Sequence, residues 1–236
     1  MIELQKYARY YSSGSLREER ERSILSEVGV LQKDKKNSDG LIREYVRSII
    51  RVHINEVCGE ANDDINDALA TAQLAHLGQK RRSGEPYLTH PIEVANIVHQ
   101  FYPENPVLCA AAILHDTLED AFKLGNVESN EDMESFIAGS FGDPTVGYDA
   151  LRLVRALTHS SNDYSRYIES IAGDPDVLKI KLSDMLHNLR SNPSNRQRLK
   201  YSNALSTLSP TGEPPPGIKS AHWQELSKLA NLTEEN

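Results

Sequence analysis

The sequence predicts an all-α protein, a helical bundle with an N-terminal helical extension. Apolar residues recur at helical spacing along most of the chain, and no stretch alternates convincingly like a β-strand. The run VLCAAAIL (107–114) is apolar on every face, which predicts a helix buried at the centre of the domain. The 236 residues are enough for one full core, and the 39% apolar and 25% charged content is that of a soluble globular protein.

The first part of the chain predicts helices ahead of that domain. Residues 2–31 have a weak helical pattern, and the polar residues 32–40 predict a loop. Apolar residues from 41 to 50 repeat at one-turn spacing and predict an amphipathic helix. Its apolar face fits packing against the core or a dimer surface, and we favour packing.

The densest pattern follows. An apolar stripe predicts a helix over residues 65–75, with Gly78 as its stop signal. The segment GQKRRSGEPYLTHP (78–91) predicts an ordered loop, and Pro91 suits the first turn of the next helix. The dipeptide Asn105-Pro106 predicts the capped start of the central helix.

The second half of the domain predicts further helices. Residues 121–146 are polar and contain glycine, which predicts a loop with a short helix inside it. Apolar spacing predicts helices around residues 151–157 and 164–171, and another that starts at Asp174-Pro175. The run PTGEPPPG (210–217) predicts a linker, followed by a short C-terminal helix that either docks on the core or frays.

Composition excludes several classes of protein. The net charge of −8 argues against general binding to nucleic acid, although a small polyanion remains a possible substrate. No apolar run approaches the roughly 20 residues that cross a bilayer, and the N-terminus lacks a secretory signal, so we expect a cytoplasmic protein with no membrane partner. Cys58 and Cys109 form no C-x-x-C pair, which predicts two buried reduced thiols rather than a disulfide or a thiolate metal site.

The end of the central helix carries a cluster of ionisable groups. The sequence runs directly from the apolar segment into HDTLED (115–120). If the helix continues, His115 stacks beneath Glu119 and Asp116 beneath Asp120, because residues four apart share one face. Carboxylates crowded at a buried helix end need a counter-charge, which a divalent cation supplies. A helix that simply emerges into solvent explains this hexapeptide equally well.

Two other segments offer further ligands. Lys181, Asp184 and Asn188 form one polar line on the helix that starts at Pro175, although this spacing alone favours an ordinary amphipathic helix. His90 precedes Pro91 at a helix start, where a lone histidine is more often structural. Taken together, two imidazoles and two carboxylates suit Mn, Fe, Zn or Ni better than Ca. The combined set is His90, His115, Asp116 and Asp184.

These motifs resemble the HD-domain hydrolases, and within them the hydrolase domain of the RelA/SpoT alarmone enzymes and the small alarmone hydrolases. SGEPY-x-x-HP, HD-x-x-ED and D-x-x-x-N in this order form a specific combination. The resemblance covers about residues 60–205. It divides the chain into an extension (1–58), a phosphohydrolase domain (59–207) and a linker with a tail helix (208–236). The matching segments are AHLGQKRRSGEPYLTHP (75–91), AAILHDTLED (111–120) and KLSDMLHNLR (181–190).

The resemblance implies a role for each matching residue. The set His90, His115, Asp116 and Asp184 would hold one Mn²⁺. Glu119 and Asp120 would orient and deprotonate the metal-bound water, or protonate the leaving group. The implied reaction removes the 3′-pyrophosphate of ppGpp or pppGpp and gives GDP or GTP, and with about 60 residues before the domain we expect degradation only. The implied substrate contacts are Arg81, Arg82, Ser83, Lys181, Asn188 and, more weakly, Tyr201.

Some positions depart from the family. Arg81-Arg82 replaces the common Arg-Lys, Met185 follows Asp184, and residues 121–146 are atypical. Such changes leave open a related substrate, namely ppApp, the 2′-phosphate of NADPH, a deoxynucleoside triphosphate or a cyclic nucleotide. A non-catalytic nucleotide sensor is the other alternative. We interpret His76 and His187 as structural, and the sequence leaves the base preference and the oligomeric state open.

Overall fold

The computed structural model describes residues 58, 63–159 and 163–231, and in these residues the chain is helical without a β-strand. The predicted helices over 2–31 and 41–50 lie outside the described residues. None of the described helices has the length and apolarity that a membrane span requires. In chain order the described helices are α1 Asp63–Ala75, α2 Thr89–Phe101, α3 Pro106–Leu114, α4 Thr117–Asp120, α5 Asn130–Ser140, α6 Pro144–Leu157, α7 Tyr164–Ile171, α8 Pro175–Arg190, α9 Asn195–Leu208 and α10 Ser220–Ala230.

Helix α3 is the centre of the domain, as the sequence predicted. Its start is fixed by Asn105, whose side chain accepts a hydrogen bond from the backbone N–H of Leu108, and by Pro106 in the first turn. Every residue from Leu108 to Leu114 is buried. α3 packs against α1, α2 and α6, so the end of α3 opens onto the interior of the bundle.

The prediction that one helix continues from Val107 to Asp120 was wrong. α3 ends at Leu114, His115 and Asp116 form a turn, and the chain restarts as the single-turn helix α4. The hydroxyl of Thr117 donates to the carbonyl of Leu114 and stabilises this turn. The backbone N–H groups of Glu119 and Asp120 both donate to the carbonyl of Asp116 at 3.2 Å, so the i, i+4 relation is kept for Asp116 and Asp120 and interrupted for His115 and Glu119.

The segment 121–146 contains more helix than its polarity predicted. The helix inside it is the 11-residue α5, capped by Ser129, and α6 already begins at Pro144, capped by Asp143. The backbones of α5 and α6 approach closely at Gly147, where an added Cβ would meet the carbonyl oxygen of Ala138. Only glycine permits that approach.

The C-terminal helix docks on the body of the domain. α10 packs against α8 and α9, and Trp223 donates from Nε1 to the carbonyl of Gly212 at 2.7 Å. His222 is buried and stacks on Phe101 of α2, with ring centroids 4.4 Å apart. Helix α9 was absent from the predictions because its pattern is sparse, with three buried residues in fourteen.

The prediction of two reduced thiols was also wrong, because Cys58 and Cys109 are joined in a disulfide. The cysteines are 51 residues apart in sequence, and their Cα atoms lie 6.4 Å apart, within the range of disulfides. Cys109 lies on α3, and Cys58 reaches it past Ala95 of α2. Sequence spacing contains no information about this tertiary approach.

Candidate metal centre

Three helices bring the predicted ligands together. His90 is the second residue of α2, His115 and Asp116 form the turn after α3, and Asp184 lies in the middle of α8. α2 packs against both α3 and α8, so the start of α2, the end of α3 and the middle of α8 converge.

The ligand atoms of three of these residues form a compact cluster. One atom each of His90, His115 and Asp184 lies within 4.8 Å of the others, and all three residues are buried. Nε2 of His90 is 3.2 Å from Oδ1 of Asp184. Oδ2 of Asp116 adjoins them, 3.0 Å from Nε2 of His115 and 3.6 Å from Nε2 of His90. The structure therefore assembles all four predicted residues.

His115 is prepared to offer Nε2 as a ligand. Its Nδ1–H donates to the carbonyl of Ala112 at 2.8 Å, so Nε2 is the nitrogen that would bind a cation once it has lost its proton. Nε2 is buried and lies 3.0 Å from Oδ2 of Asp116. Burial alone would lower the pKa of His115, but Asp116 and Asp184 outweigh it and raise the pKa to about 9. The negative charge that raises this pKa would also attract a cation.

Tyr87 holds Asp116 in place. The phenol of Tyr87 donates to Oδ2 of Asp116 at 2.5 Å, and its ring packs against His76 and His90. Burial would raise the pKa of Asp116, yet the neighbouring His115 holds it well below its ordinary value. The loop residue Tyr87 thus orients an ionised carboxylate.

Asp184 is held by the two residues that flank it on α8. Lys181 donates from Nζ to Oδ2 at 2.8 Å, and Asn188 donates from Nδ2 to Oδ1 at 2.6 Å. Despite burial, the ammonium of Lys181 holds the pKa of Asp184 well below its ordinary value. The polar line predicted on this helix is therefore a set of contacts to the carboxylate. A substrate contact for Lys181 and Asn188 stays a prediction.

His187, interpreted from the sequence as structural, contacts His90. Nδ1 of His187 lies 2.7 Å from Nδ1 of His90. Burial, with the charge of Arg81 adding to it, lowers the pKa of His187 to about 3, so its ring is neutral. We assign the shared proton to His90, whose Nε2 is then free to bind a cation, while Nε2 of His187 faces the hydroxyl of Ser191 at 3.4 Å.

Glu119 and Asp120 lie on α4, directly after the turn that contains His115 and Asp116. Oε1 of Glu119 accepts from the backbone N–H of His159 at 2.8 Å, and Oδ2 of Asp120 accepts from Nε2 of Gln79 at 2.8 Å. Both side chains are partly exposed. The two side chains face different neighbours, Glu119 the end of α6 and Asp120 the end of α1.

The basic loop forms one rim of the centre. A bridge between Lys80 and Pro86 closes it, and the backbone N–H of Arg81 donates to the carbonyl of Glu85. Arg81 is half-buried and close enough to His187 to affect its pKa, whereas Arg82 and Ser83 are exposed. A role for Arg81, Arg82 and Ser83 in phosphate binding stays a prediction.

An aromatic and basic wall forms another rim, and the sequence predicted only one of its residues, the buried Tyr201. Lys200 places Nζ 3.7 Å from the ring centroid of Tyr164, and the rings of His159 and Tyr167 lie 4.5 Å apart. Lys200 is within electrostatic reach of Lys181, Asp184 and Glu119. Scattered aromatic and basic residues give no local signal, because they meet only in the fold.

The residues present fit a divalent cation. Two imidazole nitrogens and two carboxylates are a donor set for Mn, Fe, Zn or Ni, and such an ion would take the place of the proton between Nε2 of His115 and Asp116. The outer partners of these ligands are all in place: the carbonyl of Ala112 and the ring of His187 accept from the two imidazoles, and Tyr87 and Lys181 donate to the two carboxylates. Such outer contacts usually orient metal ligands.

Comparison with known proteins places this centre in a family. The HD-domain pattern matches residues 68–209, which include all four clustered residues. The chain is 33% identical over 193 residues to a probable GTP pyrophosphokinase of Mycobacterium leprae, covering 80% of this chain and 24% of that protein. It is 33% identical over 166 residues to the bifunctional (p)ppGpp synthase/hydrolase RelA of Mycobacterium tuberculosis, covering 69% of this chain and 22% of that protein.

A GTP pyrophosphokinase of Streptomyces antibioticus is 29% identical over 189 residues, which cover 80% of this chain and 22% of that protein. The chain thus spans about a quarter or less of the length of these curated relatives. The resemblance stated from the motifs and the all-α fold are both confirmed. The chain belongs to the HD-domain family and is related there to the RelA/SpoT proteins.

Proposed function

We propose that this chain is a Mn²⁺-dependent phosphohydrolase that removes the 3′-pyrophosphate of a guanosine alarmone, ppGpp or pppGpp. The observation that carries the proposal is the convergence of His90, His115, Asp116 and Asp184 beside the two acids of α4. One relative is named a synthase/hydrolase and others are named pyrophosphokinases, so their names alone leave the direction open. The HD-domain match favours hydrolysis, because it contains the whole cluster.

The four clustered residues would hold the ion. A bound divalent cation would make a coordinated water more acidic and polarise a phosphoryl oxygen. The contacts from Tyr87 and Lys181 keep Asp116 and Asp184 ionised and oriented before the ion arrives. The protein therefore does not have to reorganise these carboxylates at the moment of reaction.

Glu119 and Asp120 would act as the general base and general acid of the reaction. The oxygen of water attacks the proximal phosphorus of the 3′-pyrophosphate, and the bond from that phosphorus to the ribose 3′ oxygen breaks. One proton leaves the attacking water and one proton reaches the 3′ oxygen, so the products are GDP or GTP and pyrophosphate. A positioned acid–base pair of this kind increases the rate of the chemical step by about 10²–10⁴-fold.

The rims would bind the anionic substrate. Arg81 and Arg82 are well suited to bind phosphate, because a guanidinium group stays charged and can donate two parallel hydrogen bonds to phosphate oxygens. On the other side, Lys200 and the tyrosines of α7 and α9 add positive charge and flat surfaces. A small nucleotide with several phosphates meets both rims, and the net charge of −8 disfavours a nucleic acid.

The test is hydrolysis by the purified chain after removal and restoration of Mn²⁺. Pyrophosphate release from ppGpp is compared with turnover of ppApp, NADPH and a deoxynucleoside triphosphate. Asp116→Ala should abolish metal binding and turnover, whereas Glu119→Gln should bind Mn²⁺ normally and lose turnover. Preference for another of these nucleotides would identify a related phosphohydrolase. Metal binding without turnover of any of them would contradict the proposal and favour a nucleotide sensor.

A further inference from the structure

We infer that Gln79 is a positioning residue for Asp120, held in register by His76. The inference rests on the proposed function, in which Asp120 handles a proton. It names a residue outside the metal ligands and the two acids. An unbroken chain of side-chain contacts runs from the interior of the domain to α4.

The two ends of the Gln79 amide have different partners. Oε1 lies 2.7 Å from Nδ1 of His76, and Nε2 donates to Oδ2 of Asp120 at 2.8 Å. An ionised carboxylate only accepts hydrogen bonds, so the amide must direct its NH₂ group toward Asp120. Its oxygen then accepts from Nδ1–H of His76, which also sets the orientation of that ring.

His76 is a firm anchor for this chain of contacts. His76 is fully buried at the end of α1, and its ring packs against that of Tyr87 with 4.8 Å between the ring centroids. Burial lowers the pKa of His76, which favours the neutral ring. A neutral imidazole donates through one nitrogen, which matches the single acceptor that Gln79 offers.

The backbone fixes Gln79 from both sides. Its N–H donates to the carbonyl of His76 at 3.0 Å, and its carbonyl accepts from the N–H of Tyr87 at 3.0 Å. Gly78 supplies the left-handed turn between them, with φ of 79°. The same loop thus supplies Tyr87 to Asp116 and Gln79 to Asp120.

A second tie joins the segments that Gln79 connects. Nδ2 of Asn126 donates to the carbonyls of Ala75 and Leu77 at 2.9 and 3.2 Å, and its backbone N–H donates to the carbonyl of Ala121 at 2.9 Å. This tie holds the end of α4 against the end of α1 independently of Gln79. Substitution of Gln79 should therefore release the Asp120 side chain without releasing α4.

The Gln79 contact to Oδ2 fixes the orientation of the Asp120 carboxylate. An acid–base group acts efficiently only when it is held in the correct geometry. Loss of the contact leaves Asp120 present but free to rotate. The expected defect is therefore in turnover and not in binding of metal or substrate.

The experiment compares Gln79→Met, which keeps the length of the side chain, with Gln100→Met at an exposed position of α2. For Gln79→Met we expect kcat to fall by about 10-fold or more, with KM and Mn²⁺ affinity within about twofold of wild type. Gln79→Glu retains the acceptor for His76 but repels Asp120, and we expect it to lose at least as much kcat. Circular dichroism and thermal unfolding monitor folding.

The outcomes separate the two proposals. A wild-type chain that hydrolyses none of the tested nucleotides contradicts the proposed function. An active wild type with unchanged kcat in both Gln79 variants overturns the role of Gln79 alone, as does a matched loss of Mn²⁺ affinity. A double-mutant cycle of Gln79→Met and Asp120→Ala, measured by unfolding, tests the contact without any assay of activity. Additive effects in that cycle would also overturn the inference.

Discussion

The imidazoles of His90 and His187 meet nitrogen to nitrogen, with their Nδ1 atoms 2.7 Å apart although 97 residues separate them in sequence. This contact fixes which nitrogen of His90 faces Asp184. A ring without it can rotate and can carry its proton on either nitrogen. The pair therefore links the start of α2 to α8 at the metal centre.

Removal of His187 should weaken metal binding. We expect His187→Ala to reduce Mn²⁺ affinity by about 10–100-fold, the usual effect of removing an outer partner of a ligand. His99→Ala, a half-buried histidine at the other end of α2, is the matched control and should bind normally. Isothermal titration of both metal-stripped variants measures the effect. Equal affinities would contradict the role of the histidine pair.

Lys200 should contribute to substrate binding rather than to turnover. Its ammonium lies over Tyr164, and among the described residues no ion pair engages it. We expect Lys200→Ala to raise KM for an alarmone about 10-fold and to change kcat little, since the interaction is uniform along the reaction. Lys228→Ala on α10 serves as the control. Steady-state kinetics at low ionic strength distinguish an effect on KM from an effect on kcat. A fall in kcat alone would refute the prediction.

Asp67 makes the stability of the domain depend on pH. Burial, followed by repulsion from Asp64 and Asp63, raises the pKa of Asp67 from 3.8 to about 6. A carboxyl whose folded-state pKa is raised favours folding in its protonated form. Its contribution is therefore fully present below pH 3.8 and is lost as the pH rises through about 6.

Asp67→Asn should accordingly stabilise the protein at neutral pH. Two pKa units correspond to about 3 kcal/mol, and we expect a gain of that order or less at pH 7.5 and almost none at pH 3.5. Urea unfolding at the two pH values measures the difference, with Asp149→Asn at an exposed position of α6 as the control. A gain that is the same at both pH values would show that titration of Asp67 is not the cause.

Gly147 should not tolerate a side chain. Its Cβ would meet the carbonyl oxygen and carbonyl carbon of Ala138, and backbone atoms cannot move aside cheaply. We expect Gly147→Ala to lower the free energy of unfolding by about 1–3 kcal/mol. Gly173→Ala is the control, because nothing lies within 4 Å of the added Cβ there. Thermal unfolding that ranks the two variants equally would refute the close approach of α5 and α6.

The sequence by itself predicted most of the described helices and the candidate metal ligands. Helix starts at Asn105, Asp174 and the His90-Pro91 pair were readable because caps, prolines and apolar stripes are local signals. The candidate ligands were readable because imidazoles and carboxylates stood at the ends or on the polar lines of those helices. Family resemblance then joined segments that spacing alone leaves unconnected.

The tertiary structure decided how those residues are used. It broke the helix after Leu114, joined Cys58 to Cys109, and gave His187 and Gln79 partners that lie far away in sequence. Helical periodicity arises from contacts three or four residues apart, whereas these contacts arise from packing between helices. No local pattern contains that information, which is why only the folded chain reveals it.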